Sequence, residues 1–397
     1  MSSGTWQRTA LGDICVTTSG GTPSRSRPEF FGGHIPWIKS GDLTDGAVES
    51  CSEYITQQGL SQSSAKLFNE GTILLAMYGA TVGKLGILGM CAATNQAVCG
   101  ITPPDALDRK FLFYFLLSQR PNLIGQSIGG AQPNISQTII RELMLPIPPL
   151  PDQRRIVDLL TRAEGIVRLR REAADKAAEL IPAIFIDMFG DPVRNPKAWP
   201  IVPLGSVATV QGGLQVTRAR LSHPLERPYL RVANVYRDRL DLVEIKSIRL
   251  TEAELNRTRL QIGDLLFVEG HGNPQEVGRV AVWDGSIQDC THQNHLIRAR
   301  PNNDQLMPEF ACVQLNTPAG RQSLLRAGKT TSGLSTISAQ NVKDAEVMLP
   351  RMALQRDFVK LAEEAQSIAT LQTEAQLKAQ ATFNALLAQA FAPHGSL

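Results

Sequence analysis

What this sequence has little of narrows its class before any motif is read. In 397 residues there are six cysteines, Cys15, Cys51, Cys91, Cys99, Cys290 and Cys312, and no two of them form a CxxC pair. Such spacing argues against a zinc module and suits reduced, mostly buried thiols. No uninterrupted apolar run approaches the ~18 residues of a membrane span. The opening MSSGTWQRT lacks the charged stretch and apolar run of a secretory signal, so a cytoplasmic protein with no membrane contact is expected. Net charge is only +3, with 43% hydrophobic and 19% charged residues, a globular composition rather than a disordered or fibrous one. Met1 to Leu150 carries 10 basic and 10 acidic residues and Pro200 to Pro350 carries 17 and 15, so global charge neither demands nor excludes nucleic acid.

Catalytic motifs are missing too. GATVGKL at Gly79 to Leu85 has three residues between its glycines where a P-loop needs four, and Leu85 stands where a Mg²⁺-binding hydroxyl belongs. GHG at Gly270 to Gly272 has Gln275 in place of the third glycine of a dinucleotide fingerprint. Cys290, His292 and His295 lack a fourth metal ligand at usual spacing, and a strand with solvent-facing polar groups is the expected account. There is no GxSxG elbow, HExxH or paired-carboxylate arrangement. NPKA at Asn195 and NPQE at Asn273 lack the second proline and aromatic residue of a DNA methyltransferase motif. The chain is expected to be non-catalytic.

What is present is a duplication. Asp152 to about Gly190 reads as one long helix with a seam at Ile156, Leu160, Ala163, Val167, Ala174, Ala177, Ile181, Ile184 and Met188, broken only at Arg170. A partner helix at Leu354 to Phe391 places Phe358, Leu361, Ala365, Ile368, Ala375, Ala379, Phe383, Leu386 and Ala390 at similar spacing. The helices open alike, PDQRRIVDLL at Pro151 and LQRDFVKLA at Leu354. Upstream of each, the same segments recur in order at a period near 195 residues. WQRTALGDI at Trp6 meets WPIVPLGSV at Trp199, and GGTPSRSR at Gly20 meets GGLQVTRAR at Gly212. IPWIKSGDL at Ile35 meets RPYLRVANV at Arg227, and ATNQAV at Ala93 meets CTHQNHL at Cys290. NISQTIIRELMLP at Asn134 likewise meets TISAQNVKDAEVMLP at Thr336.

Each repeat therefore predicts a mixed α/β (α+β) domain followed by a long helix. TILLAMY and DLLFVE are short, apolar and glycine-bounded, as buried strands are, with GILGM and RVAVW returning. FLFYFLLSQ at Phe111 and EFACVQLN at Glu309 have helical spacing. The division expected is 1–150, first domain; 151–198, long helix and link; 199–350, second domain; 351–397, C-terminal helix. FGDPVRNPKAWP, Phe189 to Pro200, writes the link with three prolines and a glycine. Two units whose helices pair antiparallel would share a pseudo two-fold axis, held by a rod of about 50 Å for ~34 residues. A fixed distance of that order suits duplex DNA, whose groove returns every ~34–36 Å.

The loops of both repeats supply hydrogen-bond donors. Arg25 and Arg27, and opposite them Gln215, Thr217, Arg218 and Arg220, sit on glycine-started loops. Such side chains contact phosphates and make two-point bonds to guanine or adenine. Lys39, Lys84, Gln96, Arg231, Asn234, His271, Arg279, Gln293 and Asn294 fall at the neighbouring strand ends. GGAQPNISQ at Gly129 and KTTSGLSTISAQ at Lys329 end the two domains alike, consistent with a close approach of backbone to DNA or with a plain turn before the helix.

These features together resemble the specificity subunit of type I restriction-modification systems over essentially the whole chain. The resemblance is carried by the two W-x4-LG-[DS]-[IV] openings, the G-[TD]-[IL]-L strands followed by Gly-Lys or Gly-Arg, the [IT]-S-x-x-x-[IV]…LP…Q-R segments and the FGDPVRNPKAWP link. It implies two target-recognition domains, each reading one half of a split, asymmetric site in double-stranded DNA. It also implies helices that dock two methyltransferase subunits, with two restriction/translocase subunits joining; Gln153, Arg154, Gln355 and Arg356 are the expected partner contacts. No cofactor is implied for this chain itself. S-adenosylmethionine, ATP and Mg belong to the implied partners, which flip and methylate adenine. Two rivals predict otherwise: a bilobal protein-binding scaffold that reads no DNA, or a two-domain enzyme with His271 and His292 as first candidates.

Overall fold

The computed structural model describes residues 6–126, 134–325, 329–331 and 334–392. The chain divides into two compact units: Met1–Arg171 together with Glu374–Leu397, and Glu172–Thr373.

The first unit is built on the strand Ile73–Ala76, every side chain of which is buried. It pairs antiparallel with Leu85–Leu88 and Val98–Thr102, and Gly46–Val48 and Val16–Ser19 complete a five-stranded sheet at its edges. A second sheet runs Tyr54–Ile55, Phe31–Ile38, Ala92–Thr94, Leu67–Phe68, with Trp37 and Ala93 in parallel register. The helix Arg109–Gly125 buries Phe111 to Leu116 as a continuous apolar run, and Asp108 caps it by accepting from the Phe111 amide at 3.0 Å.

The second unit repeats this plan. Its buried strand Leu265–Val268 lies between Val280–Val282 and Leu296–Pro301, with Ala208–Gly212 at the edge. Lys246–Leu250, Leu225–Leu230 and Thr291–His292 form the second sheet, with Tyr229 and Thr291 again parallel. Both units begin with a strand pair, Arg8–Ala10 on Met144–Pro146 and Ile201–Pro203 on Glu346–Met348. The Leu-Gly of each opening then starts a short helix, Leu11–Ile14 or Leu204–Val207. A Cβ on Gly12 would lie 2.8 Å from Cβ of Arg141, and one on Gly205 3.0 Å from Cβ of Lys343. That contact explains why glycine follows leucine in both openings.

The long helices depart from expectation in three ways. The stretch Asp152 to Gly190 is two helices, Leu150–Ala178 and Leu180–Phe189. Pro182 is the cause: it has no amide for the Ala178 carbonyl, and its ring clashes with that carbonyl. Past the break the inward stripe moves one residue on, so Phe185 and Phe189 are fully buried while Ile181, Ile184 and Met188 are partly so. In the second helix, Met352–Ala390, Leu361 and Ile368 point outward, 41% and 47% exposed. The packed stripe instead follows Phe358, Ala362 and Ala365.

Each unit packs one end of each long helix. In the first, Ile156, Leu160 and Val167 share a core with Phe383, Leu387 and Phe391. Tyr114 meets Glu164 through its hydroxyl at 2.8 Å and Phe383 through its ring at 6.4 Å, whereas Phe111, one turn earlier, meets Phe391 at 5.2 Å. Gln153 lies at the same early end, against Asp108; the two segments therefore run antiparallel. In the second unit Phe185, Phe189, Phe310 and Phe358 form an aromatic cluster with ring centroids 4.9 to 5.9 Å apart. The residues between Gly190 and Pro200 are non-helical. No helix among the described residues is long and apolar enough to cross a membrane.

Candidate nucleic-acid interface

In the first unit the donor loop is pinned by its glycines. A Cβ on Gly20 would sit 2.0 Å from Thr94 Oγ1, and one on Gly21 2.2 Å from the Ser64 carbonyl carbon, so only glycine lets the loop lie on the strand ends. From it Arg25 stacks on Phe31 at 4.4 Å and on Trp37 at 5.3 Å, and pairs with Glu53 at 2.7 Å. The other Glu53 oxygen takes Lys39, also at 2.7 Å. These partners, the Lys39 ammonium first, hold the Glu53 carboxyl below the ordinary range against the opposing pull of burial. Arg27 stacks on Phe30 at 5.2 Å and donates to Gln62 at 3.2 Å. Gln96 is exposed and accepts from the Thr22 hydroxyl. Lys84 joins a different cluster, pairing with Asp45 at 3.1 Å beside Arg120.

The matching loop of the second unit is pinned in the same way. A Cβ on Gly213 would meet the carbonyl oxygens of His292 and Gln293 at 2.3 Å. Arg218 and Gln215 are exposed. Arg220 pairs with Glu254 at 3.0 Å, and this bond chiefly holds Glu254 at a pKa of about 2. Arg231 occupies the place of Lys39 and again holds a carboxylate, Glu244 at 3.3 Å. Gln293 and Asn294 are half-buried, their backbone amides donating to the carbonyls of Leu230 and Leu214.

Several expected contact residues are spent inside the fold. Asn234 is 2% exposed, accepts from the Arg231 amide and donates to the carbonyls of Asp241 and Glu244, shaping a turn as Asp42 does at Lys39. Arg279 is 5% exposed, held by Glu276, the Val232 carbonyl and the Tyr236 ring. His271 accepts from the Asn273 amide at 3.0 Å through Nδ1. Gln153 and Gln355, expected as partner contacts, are sealed in, 1% and 0% exposed, and bond only to backbone of their own units, whereas Arg154 and Arg356 are exposed. Lys329 lies on the strand Lys329–Thr331, with its side chain outside the described residues. The GGAQPNISQ segment falls outside them up to its proline.

The histidine cluster is not a solvent-facing strand. His292 is fully buried, and burial pushes its pKa down to about 4; burial pushes the Cys290 thiol up to about 12. His295 is exposed and pairs with Glu269 at 2.9 Å. Among the described residues no group of three or more His, Cys, Asp or Glu side chains could hold a metal. With His292 sealed, it offers no accessible base. The six cysteines are free, four of them buried.

Sequence reasoning missed the carboxylates Glu53, Glu244 and Glu254, and the aromatic rings under the arginines. The carboxylates lie 13 to 34 residues from their basic partners and follow no local spacing. A second missed pattern is apolar and outward. Leu159, Ile166 and Leu169 are 37%, 54% and 57% exposed, and at the matching places on the other helix Leu361, Ile368 and Leu371 are 41%, 47% and 63% exposed.

Comparison with known proteins places this arrangement. Residues 3–176 match the family model described as type I restriction modification DNA specificity domain. The chain is 26% identical over 361 residues to the type I restriction enzyme EcoKI specificity subunit of Escherichia coli strain K12, covering 83% of this chain and 75% of that protein. It is 26% identical over 253 residues to the MjaIX specificity subunit of Methanocaldococcus jannaschii, covering 58% of each. Among solved structures, one described as the structural basis of complex assembly and conformational transition of the type I R-M system aligns over 97% of both chains, with a TM-score of 0.66 and 19% identity. The type I S subunit from M. genitalium aligns over 97% of this chain and 96% of its own, with a TM-score of 0.52 and 14% identity. At these identities the two structures speak for the fold alone.

Proposed function

We infer that this chain, whose residues 3–176 are a type I restriction-modification DNA specificity domain, is the sequence-reading subunit of such a complex. Residues 1–150 and 199–350 each read one half of a split, asymmetric site in duplex DNA. The helical stretches 151–198 and 351–397 dock partner subunits. The observation that carries this reading is one fold made twice with unlike loops. The glycine-pinned loop presents Ser24, Arg25, Ser26 and Arg27 in the first unit and Thr217, Arg218 and Arg220 in the second. A shared scaffold with different donors suits two different half-sites rather than a palindrome.

The chain itself does no chemistry under this reading. Two methyltransferase subunits bring S-adenosylmethionine and take up flipped adenines, and two translocase subunits use ATP and Mg²⁺. Leu159, Ile166 and Leu169, repeated as Leu361, Ile368 and Leu371, give each methyltransferase copy the same apolar triad. Arg154 and Arg356 stand exposed one to two turns before the first residue of each triad.

The test is single-molecule sequencing of modified adenines in a methylation-free host that expresses this chain with its methyltransferase. Two short unlike blocks with a fixed unspecified gap are expected. Methylation that is the same without this chain, or absent although a complex forms, would overturn DNA reading and favour a protein scaffold.

A further inference from the structure

We propose that Glu53 and Glu254 are stand-ins for DNA phosphate: each holds an arginine that duplex DNA must win from it, and this competition suppresses binding to unspecific sequence. The proposal rests on the DNA-reading function above.

The two sites reach one arrangement by different routes. Glu53 follows from a strand end, where its carbonyl accepts from the Trp37 amide at 3.0 Å, and its oxygens take Arg25 and Lys39 separately. Glu254 comes from the first turn of the helix Glu252–Thr258, where it bonds back to the Thr251 amide at 3.0 Å and takes Arg220. In both, the acid is fixed by regular structure and the arginine arrives from the glycine-pinned loop. Structural burial does not require the first pair, because the Arg25 side chain is 58% exposed. An exposed guanidinium can stay hydrated without a carboxylate, and an isolated surface pair contributes little to stability. Arg220 bonds both Glu254 oxygens, at 3.0 Å each, and that two-point position suits phosphate as well as carboxylate.

The consequence is a threshold. Random duplex offers phosphates alone, so a contact at Arg25 must first break an ion pair, and one at Arg220, whose side chain is 14% exposed and also donates to the Gln215 and Arg249 carbonyls, must break more, and the net release of counterions falls. A cognate site adds base contacts that offset this cost. Arg218 has no ion pair among the described residues and remains available to steer the encounter.

Binding of the full chain to random duplex and to the duplex carrying its methylated motif, each measured across a salt series, tests this. Glu53→Gln and Glu254→Gln should each tighten random-duplex binding about 3- to 10-fold and steepen log K against log salt by about one, with a smaller gain on the motif duplex. Glu142→Gln, the same charge change at an exposed position, should give no such gain. Adding Arg25→Gln to Glu53→Gln should abolish the tightening. Unchanged or weaker random-duplex binding by a folded Glu53→Gln chain overturns the proposal, as does an equal gain from Glu142→Gln. Should Glu53→Gln fail to fold, Glu254→Gln decides by the same criteria, since glutamine can keep the Thr251 contact. A wild-type chain that binds neither duplex, in its complex, would instead overturn the DNA reading beneath the proposal.

Discussion

Gln153 accepts a hydrogen bond from the backbone amide of Asp108 at 2.7 Å, and so ties the first turn of a long helix to the cap of the domain helix beside it. Its amide nitrogen donates to the Pro148 carbonyl at 2.8 Å. Gln355 does the same work in the second unit, accepting from the Met307 amide at 2.9 Å and donating to the Pro350 carbonyl at 2.8 Å. Gln153→Ala or Gln355→Ala leaves at least two buried backbone groups unpaired, which should cost about 2–4 kcal/mol in the unit concerned. Chemical denaturation should show the loss in that unit's transition, while Arg154→Ala, one residue away and exposed, should cost under about 0.5 kcal/mol.

Stability at acid pH should depend on Glu254. Its ordinary pKa of 4.5 is lowered in the folded chain to about 2, chiefly by Arg220. A carboxyl depressed on folding contributes stability that is complete above 4.5 and is lost as pH falls towards 2. Denaturation midpoints followed through that window should fall less steeply in Glu254→Gln than in the wild type. Parallel curves would show that the Arg220 pair does not link folding to protons.

The outward triads should govern partner number. Ile166→Glu is expected to leave one methyltransferase copy on the chain, and Ile166→Glu with Ile368→Glu none, as read by native mass spectrometry. Because both side chains are about half exposed, 54% and 47%, the free chain should lose no more than about 0.5 kcal/mol. Both partner copies surviving the double substitution would move docking elsewhere.

Arg218 should report on one half-site only. It is exposed and forms no ion pair among the described residues, so Arg218→Glu should weaken DNA binding by about 1–3 kcal/mol if it touches a base without changing thermal stability. The methylated motif should relax in one block and keep the other. An unchanged motif would remove Arg218 from the reading surface.

The duplication was legible because the same segments recur in order, the buried strands Ile73–Ala76 and Leu265–Val268 because each is a short apolar run near glycines, and the two domain helices because their apolar residues keep helical spacing. The helix seams were less so. Leu361 and Ala362 both fit a helical stripe, and the aromatic cluster around Phe358, not local spacing, decides that Ala362 faces inward. Pro182 interrupts an otherwise continuous helical pattern, and a proline inside such a run breaks it. In the candidate interface, loop residue types identified donors, but not which were already engaged. Asn234, Gln153 and Gln355 look like surface polar residues until the backbone groups they satisfy are known.

The helix Met352–Ala390 gives its final turns to the first unit, where Phe391 packs on Phe111 and Phe115 and its carbonyl accepts from Arg8 at 3.1 Å. During synthesis, then, an earlier part of the chain must wait for a later one. The ribosome adds the whole second unit in between, which at ~5–20 residues per second takes about 10–40 s. Through that interval Ile156, Leu160 and Tyr114 lack the later side chains that share their core, and the nascent first unit carries uncovered apolar surface.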